Sequence, residues 1–282
     1  MVKDILKGAV MGVANIIPGV SGGTMAVSMG IYDRIIHAVT HLFSEFKKSM
    51  RVLIPILIGI LLALVLVARL IEYLFGTVPF QTNLLFIGLI LGGLPAMGKK
   101  VRGGGFRIAY PIAFVVFFAL VVAGASLEGT SSVDADLGFS LLNVVKLLGV
   151  GVIASATMVV PGVSGSMILM IMGYYTPIIG MINQFVDHLA AFDLPGMLSD
   201  CGVLVPFGIG VVVGIFAIAK IIEFVFSKWP YVAYWAIIGL IVASPVAILM
   251  LNDFGSISVV AVITGIAALV VGVLVAMKLG EE

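Results

Sequence analysis

A chain of 282 residues with 62% hydrophobic and only 10% charged side chains is too apolar for a soluble protein of this size. Its mean hydropathy of +1.28 predicts an integral membrane protein. A formal net charge of +1 at pH 7 gives no basis for nucleic-acid binding, and the lone cysteine, Cys201, excludes an intramolecular disulfide.

The first half of the chain, residues 1–126, opens with an apolar segment at about 3–45 that is interrupted at Pro18 to Gly23. Three long apolar runs follow, at about 52–76, 80–98 and 108–126. Lys3 and Lys7 precede the first apolar stretch as in a signal peptide, but no small-residue cleavage site follows. We therefore expect this stretch to remain in the mature protein.

A polar external linker is predicted at 127–140, and the second half, residues 141–282, repeats the order of the first. Its interrupted segment lies at about 141–190, with the break at Pro161 to Ser166. Three further apolar runs follow, at about 202–227, 231–250 and 257–278. Because lipid offers the backbone no hydrogen-bonding partner, these runs are expected to span the membrane as helices.

The two halves are related by an internal duplication. Pro-Gly-Val-Ser-Gly begins at Pro18 and again at Pro161, 143 positions later. Further along, the offset becomes 151 positions, as from Pro55 to Pro206, so eight extra residues follow the second motif. Duplicated halves with broken helices are typical of membrane transporters, which place their substrate where the breaks meet.

The loop charges predict the topology. If each interrupted segment enters the membrane and returns to the same side, each half crosses three times and the second half is inverted. Nearly all basic loop residues then lie on the cytoplasmic side, as the positive-inside rule requires: Lys47, Lys48, Arg51, Lys99, Lys100, Arg102, Arg107, Lys228 and Lys278. The expected fold is an all-α polytopic membrane protein with cytoplasmic termini and two inverted repeats, each a re-entrant helical hairpin plus three transmembrane helices.

The residue types of the repeated motif suit an anion. Proline ends the incoming half-helix, and the glycines allow a tight turn. Ser21 and Thr24 in the first copy, and Ser164 and Ser166 in the second, can then cap the outgoing half-helix. The N–H groups of a helix N-terminus bind anions. The alternative is that these small residues only allow close helix packing.

Parts of the sequence also match the patterns of two other chemistries. Gly19 to Gly23 matches the G-x-S-x-G pattern of serine hydrolases, but the second copy departs from it at Ser166, and the histidines lie toward loops, away from the motifs. His37 and His41 have the spacing of a metal pair, but the sequence places no further ligand beside them, so they are interpreted as interfacial polar residues. We expect no catalytic residue, no cofactor and no metal.

Four charged residues lie inside the spanning runs: Arg69 and Glu72, and their repeat partners Lys220 and Glu223. Charges within a membrane are costly and usually face a protein interior or an aqueous cavity, so they are functional candidates. The i, i+3 spacing also allows each cation to neutralise its own carboxylate. Asp33 and Arg34 follow the first hairpin without charged counterparts in the second, so they are candidates for asymmetry between the two routes.

The stretches that carry a family resemblance are Asn15 to Thr24, Gly30 to Asp33, Val160 to Ser166 and Gly173 to Tyr175. Together they resemble the PopT family of polyprenyl-phosphate translocases from bacteria and archaea. The resemblance implies a flippase in a prokaryotic plasma membrane that returns undecaprenyl phosphate, or a related lipid, from the outer to the cytoplasmic leaflet.

The resemblance further implies a phosphate site formed by Ser21, Gly22, Gly23, Thr24, Ser164, Gly165 and Ser166, with Arg69 and Lys220 as cationic partners. The expected partners of the protein are the polyprenyl-phosphate lipid and the bilayer. A coupling ion, proton or sodium, and a homo-oligomer are left open. The alternative function is a channel or exchanger for small inorganic anions, which uses the same type of broken helix.

Overall fold

The computed structural model describes residues 2–15, 21–66, 68–127, 135, 137–138, 140–162, 165–252, 254–255 and 257–280. Within these ranges every regular element is an α-helix. The predicted all-α class is therefore confirmed.

Fourteen helices are formed by the described residues. The first eight are α1 Val2–Ala14, α2 Gly22–Ser28, α3 Tyr32–Thr40, α4 Phe46–Leu66, α5 Ala68–Thr77, α6 Pro79–Leu91, α7 Leu94–Val101 and α8 Ala109–Leu127. The other six are α9 Leu141–Val159, α10 Gly165–Ile171, α11 Tyr175–Ala190, α12 Leu194–Lys228, α13 Pro230–Leu251 and α14 Val259–Gly280.

Six of the described helical segments are long and apolar enough to cross a membrane: Pro79–Val101, Ala109–Ser126, Leu141–Val159, Leu194–Lys228, Pro230–Leu251 and Val259–Gly280. Five of them cover predicted spanning runs. The sixth, α9, is the first arm of the predicted second hairpin, while the predicted run at 52–76 is shared between α4 and α5. The re-entrant hairpins and the inversion stay predictions.

Repeat-equivalent positions have the same local structure. α2 and α10 are followed by Gly30 and Gly173, whose φ angles of +71° and +76° are in the left-handed region. After each glycine, the next N–H donates back to a carbonyl five residues earlier, which is the Schellman arrangement. α6 and α13 both begin with a proline, Pro79 and Pro230, at the first helical position, where no N–H is needed.

The structure divides into two compact units. The first comprises residues 1–126, 160–163 and 219–282. In it α1 packs closely on α4, because glycines let the backbones touch. A Cβ on Gly8 would lie 2.2 Å from the carbonyl oxygen of Ile56, and one on Gly59 would lie 2.0 Å from that of Ile5.

The second unit comprises residues 127–159 and 164–218. There α9 contacts the part of α12 before residue 218 through another pair of glycines. A Cβ on Gly151 would lie 2.3 Å from the carbonyl oxygen of Phe207, and one on Gly210 would lie 2.2 Å from that of Leu148. These four residues are the repeat equivalents of Gly8, Ile56, Gly59 and Ile5, so the duplication extends to packing between helices.

Gly210→Ala is expected to destabilise the protein, since its methyl group cannot fit against a backbone oxygen without moving α9 from α12. We expect the free energy of unfolding to fall by about 1–3 kcal/mol, as at other overpacked sites. Gly208 is the matched control, because a Cβ added two residues earlier on the same helix meets nothing within 4 Å. Thermal unfolding in detergent should show a lower midpoint for Gly210→Ala only, and equal midpoints would contradict the close contact.

A histidine and a carboxylate are joined in the second unit. His188 Nδ1 lies 2.7 Å from Oδ2 of Asp200, whose side chain is buried. The hydrogen bond to Asp200, aided by the nearby charges of Asp193 and Asp187, raises the pKa of His188. The pair therefore stabilises the fold most when the imidazole is protonated.

The pH dependence follows from the sign of this shift. The stabilisation is complete below the pKa of an unfolded histidine, about 6.5, and is lost as pH rises through the higher pKa of the folded state. We expect the difference in melting temperature between the natural protein and Asp200→Asn to be largest in mildly acidic buffer and to shrink at alkaline pH. If the difference in melting temperature did not change with pH, protonation of His188 would make no contribution to stability.

Candidate functional site

The described part of the first motif begins at Ser21, since Pro18 to Val20 lie outside the described residues. Ser21 is the N-cap of α2, and its Oγ accepts a hydrogen bond from the N–H of Thr24 at 3.2 Å. The N–H of Gly22 donates to Oδ1 of Asn15 at 2.8 Å. Two N–H groups in the first turn of α2 are thus bound by side chains that precede this helix.

A hydrogen bond joins the described parts of the two motifs. The N–H of Gly162 donates to Oγ1 of Thr24 over 2.7 Å, and Thr24 is fully buried. Gly162 has a φ of +80°, and a Cβ there would lie 2.9 Å from the carbonyl oxygen of Leu240. Glycine is required at this position both by its backbone angle and by the close approach of α13.

In the second motif Ser164 lies outside the described residues, while Gly165 and Ser166 form the start of α10. A Cβ on Gly165 would lie 2.2 Å from Cγ of Met158. Met158 is the repeat equivalent of Asn15, which lies beside Gly22 in the first copy. The two helix starts therefore have side chains from equivalent positions next to them, an amide beside Gly22 and a thioether beside Gly165.

The predicted charged pairs are described only in part. The side chains of Arg69 and Glu72 lie outside the described part of the structure. Lys220 is exposed on α12. Among the described side chains, Glu223 contacts two histidines rather than Lys220, since its Oε1 lies 3.4 Å from Nδ1 of both His37 and His41.

Asp33 and Arg34 each have a partner in the first unit. Oδ2 of Asp33 accepts hydrogen bonds from Nζ of Lys100 and from the hydroxyl of Tyr234, the latter at 3.2 Å. Arg34 Nη1 lies 3.3 Å from Oδ1 of Asp4. The ammonium group of Lys100 also lies 5.0 Å from the centre of the Tyr234 ring, in a cation–π contact.

A cavity of about 360 Å³ lies beside Asp33, Tyr234 and Glu223. Its lining residues are Asp33, Ile36, His37, Glu223, Phe226, Ser227, Pro230 and Tyr234. Ile36, Phe226 and Pro230 make part of this wall apolar. Both of its carboxylates have partners, since Asp33 accepts from Lys100 and Tyr234 and Glu223 contacts two histidines.

Several of these residues could not be assigned from the sequence. Tyr234 is one hydrophobic residue among many in α13, and the loop charges predict a cytoplasmic loop at Lys100, whereas α7 extends to Val101. Lys7 is one of two N-terminal charges in the sequence, yet it is buried and its Nζ donates to the carbonyl oxygen of Met29 at 3.1 Å. Met29 is the C-cap of α2, where a cation is favoured by the helix dipole.

Comparison with known proteins supplies the family. Residues 11–263 match the VCA0040-like family, described as undecaprenyl phosphate translocase-like. The chain belongs to this family. Since its described helices include six that can span a bilayer, it is a multi-pass membrane protein. The resemblance predicted from the motifs is thereby confirmed, and no solved structure matches the chain.

Two relatives extend over most of the sequence. A polyprenyl-phosphate transporter from Vibrio cholerae serotype O1 is 27% identical over 257 residues, which cover 85% of this chain and 74% of the relative. A polyprenyl-phosphate transporter from Staphylococcus aureus is 30% identical over 255 residues, which cover 87% of this chain and 85% of the relative. These family members are named as transporters rather than as enzymes.

Proposed function

We propose that this protein is a flippase that moves undecaprenyl phosphate, or a related polyprenyl phosphate, from the outer to the cytoplasmic leaflet of a prokaryotic plasma membrane. The observation that carries the proposal is the family match over residues 11–263. The polyprenyl-phosphate transporters of two bacteria, each similar to this chain over most of its length, support the same substrate class.

The proposed phosphate site includes the start of α2. The N–H groups of Gly22 and Thr24 are held by Asn15 and Ser21, and both acceptors are side chains that can rotate away. A phosphate oxygen would replace these acceptors and satisfy the same N–H groups. Without substrate, the side chains keep the donors satisfied in a medium where an unpaired N–H is costly.

The internal duplication extends this site to the second hairpin. Ser164, Gly165 and Ser166 would supply the corresponding backbone and hydroxyl groups, and Arg69 and Lys220 would supply positive charge. The contacts of Gly8 and Gly59, repeated by Gly151 and Gly210, support two similar halves. We infer transport by alternating access, with the two halves inverted and each opening the site toward one leaflet.

In the proposed orientation both termini are cytoplasmic, and so are Lys100 and Lys228. The cavity beside Asp33 and Tyr234 then lies on the cytoplasmic route from the hairpins. Its apolar wall would contact the first isoprene units, while Lys100, which lies behind the wall, would neutralise Asp33 as the phosphate passes. A coupling ion, proton or sodium, and a homo-oligomer are further parts of this hypothesis.

The decisive experiment is a leaflet assay in proteoliposomes of defined lipids. A fluorescent polyprenyl phosphate is placed in the membrane, and its exposure on the outer surface is followed with a membrane-impermeant quencher. We expect protein-dependent movement of this lipid but not of the corresponding polyprenol, which lacks the phosphate. Equal movement of both lipids, or anion conductance without lipid movement, would reject the proposed function, and a chemically altered lipid would indicate an enzyme.

A further inference from the structure

Three groups that commonly bind metal ions meet beside the cavity. His37 lies on α3, His41 directly follows this helix, and Glu223 lies on α12. Nδ1 of each histidine lies 3.4 Å from Oε1 of the glutamate, and the ring centres are 4.1 Å apart. The sequence places Glu223 more than 180 positions after the histidines, so only the tertiary structure assembles this set.

These distances fit a bound transition-metal ion. Zinc binds imidazole nitrogen and carboxylate oxygen at ~2.0–2.1 Å, so two ligands of a tetrahedral site lie ~3.3 Å apart. Both histidine-to-glutamate distances are 3.4 Å, and the candidate ligand atoms all lie within 4.8 Å of one another. Rotation of side chains is enough to bring them around one ion.

The solvent exposure of the cluster allows an ion to enter. The side chains of His37, His41 and Glu223 are 58%, 37% and 36% exposed. Two neutral imidazoles and one carboxylate form a ligand set that zinc, cobalt and nickel accept. Lysine and arginine are absent from the described lining of the adjacent cavity, so the lining residues provide no cation that would repel the metal.

His41 must change its hydrogen bonds to bind an ion. Its Nδ1 lies 3.0 Å from Oγ1 of Thr40 and 3.2 Å from the carbonyl oxygen of His37. Oγ1 of Thr40 also lies 3.1 Å from the carbonyl oxygens of Ile36 and His37, so its hydroxyl has other acceptors. The Nδ1 lone pair is then released for the metal when the imidazole proton is on Nε2.

We propose that His37, His41 and Glu223 form a three-ligand site for one divalent transition-metal ion, with the fourth position open to water. The site does not depend on the proposed lipid substrate. The repeat equivalents of the two histidines are Gly180 and Gln184, so the second half lacks this ligand set. The ion would connect α3 to the end of α12 that carries Glu223.

Metal binding is tested directly on the full chain in detergent, with any histidine tag removed. Cobalt(II) is titrated at pH 7.5, and its visible absorption reports both stoichiometry and coordination geometry. We expect one cobalt per chain, displaced by zinc. His37→Gln and Glu223→Gln should each weaken cobalt binding at least tenfold, since even the loss of groups that only orient metal ligands costs ~10–100-fold.

His188→Gln is the matched control, because it removes the remaining histidine of the chain from a cluster with Asp200 and leaves the proposed ligands intact. It should bind cobalt like the natural protein. Zinc should also raise the melting temperature of the natural protein and of His188→Gln, but not that of His37→Gln.

Three results would overturn the site: no cobalt or zinc bound by the natural protein, unchanged affinity in both ligand variants, or loss of binding in His188→Gln. The melting temperature and size-exclusion profile of each variant without metal distinguish loss of the site from misfolding. If His37→Gln misfolds, His41→Gln replaces it. Because the assay contains no polyprenyl phosphate, failure of the proposed transport activity would not change its outcome.

Discussion

Thr24→Val is expected to abolish most lipid transport and to destabilise the protein, although valine has nearly the same shape as threonine. The substitution removes the oxygen that accepts the hydrogen bond from Gly162 and leaves this N–H without its partner beside a fully buried side chain. Such a loss costs about 1–3 kcal/mol. Leaflet exchange in proteoliposomes and thermal unfolding in detergent measure the two effects.

Thr24→Ser provides the matched control, because serine keeps the hydroxyl and loses only a methyl group. We expect it to retain most of the transport and stability. If Thr24→Val were as active as Thr24→Ser, the hydrogen bond between the two motifs would have no role in transport. If Thr24→Val lost transport but kept its full stability, the hydroxyl would act on the substrate rather than on the fold.

Gly22→Leu is expected to eliminate transport while leaving a folded protein in the membrane. A Cβ at this position lies 2.9 Å from Oδ1 of Asn15, which is the end of a side chain and can move. The rest of the leucine side chain would then occupy the space proposed for the phosphate. Transport is measured by the leaflet assay and folding by size-exclusion chromatography at matched expression.

Gly149→Leu is the control for the addition of a large apolar side chain to a membrane helix, because a Cβ there meets nothing within 4 Å. It should transport normally. Gly165→Leu is predicted to eliminate transport as well, and also to lower the melting temperature, because a Cβ there lies 2.9 Å from the carbonyl oxygen of Ala154 besides displacing Met158. Normal transport by both hairpin variants would make the repeated motifs packing elements and would remove them from the phosphate site.

The side chain beside the first glycine of each helix start affects how easily a bound phosphate would be released. Asn15 gives the first hairpin an acceptor for the N–H of Gly22, whereas Met158 lies at the equivalent position of the second. A phosphate at the proposed site would therefore compete with an amide that already accepts a hydrogen bond from Gly22. We propose that this competition keeps phosphate binding reversible, as a transporter requires.

The sequence by itself determined the membrane class, the duplicated halves and the family. It also predicted the interruptions between α1 and α2 and between α9 and α10, because proline and glycine act through their own backbone geometry. The matching ends after α2 and α10, at Gly30 and Gly173, show that such local structure is set by neighbouring residues. A duplicated sequence repeats these features wherever the two copies are located in the chain.

Only the tertiary structure decided which distant side chains meet. Thr24 and Gly162 are 138 positions apart, and Asp33 and Tyr234 are 201 positions apart. No local pattern encodes either contact, since both depend on how helices pack. Hydrophobic periodicity could not assign His37, Lys100 or Glu223 to their clusters either, because in a chain this apolar nearly every helix face is hydrophobic. The choice of which helices pack together then depends on a few polar contacts and on glycines that let backbones touch. Both kinds of contact are defined only once the helices are packed.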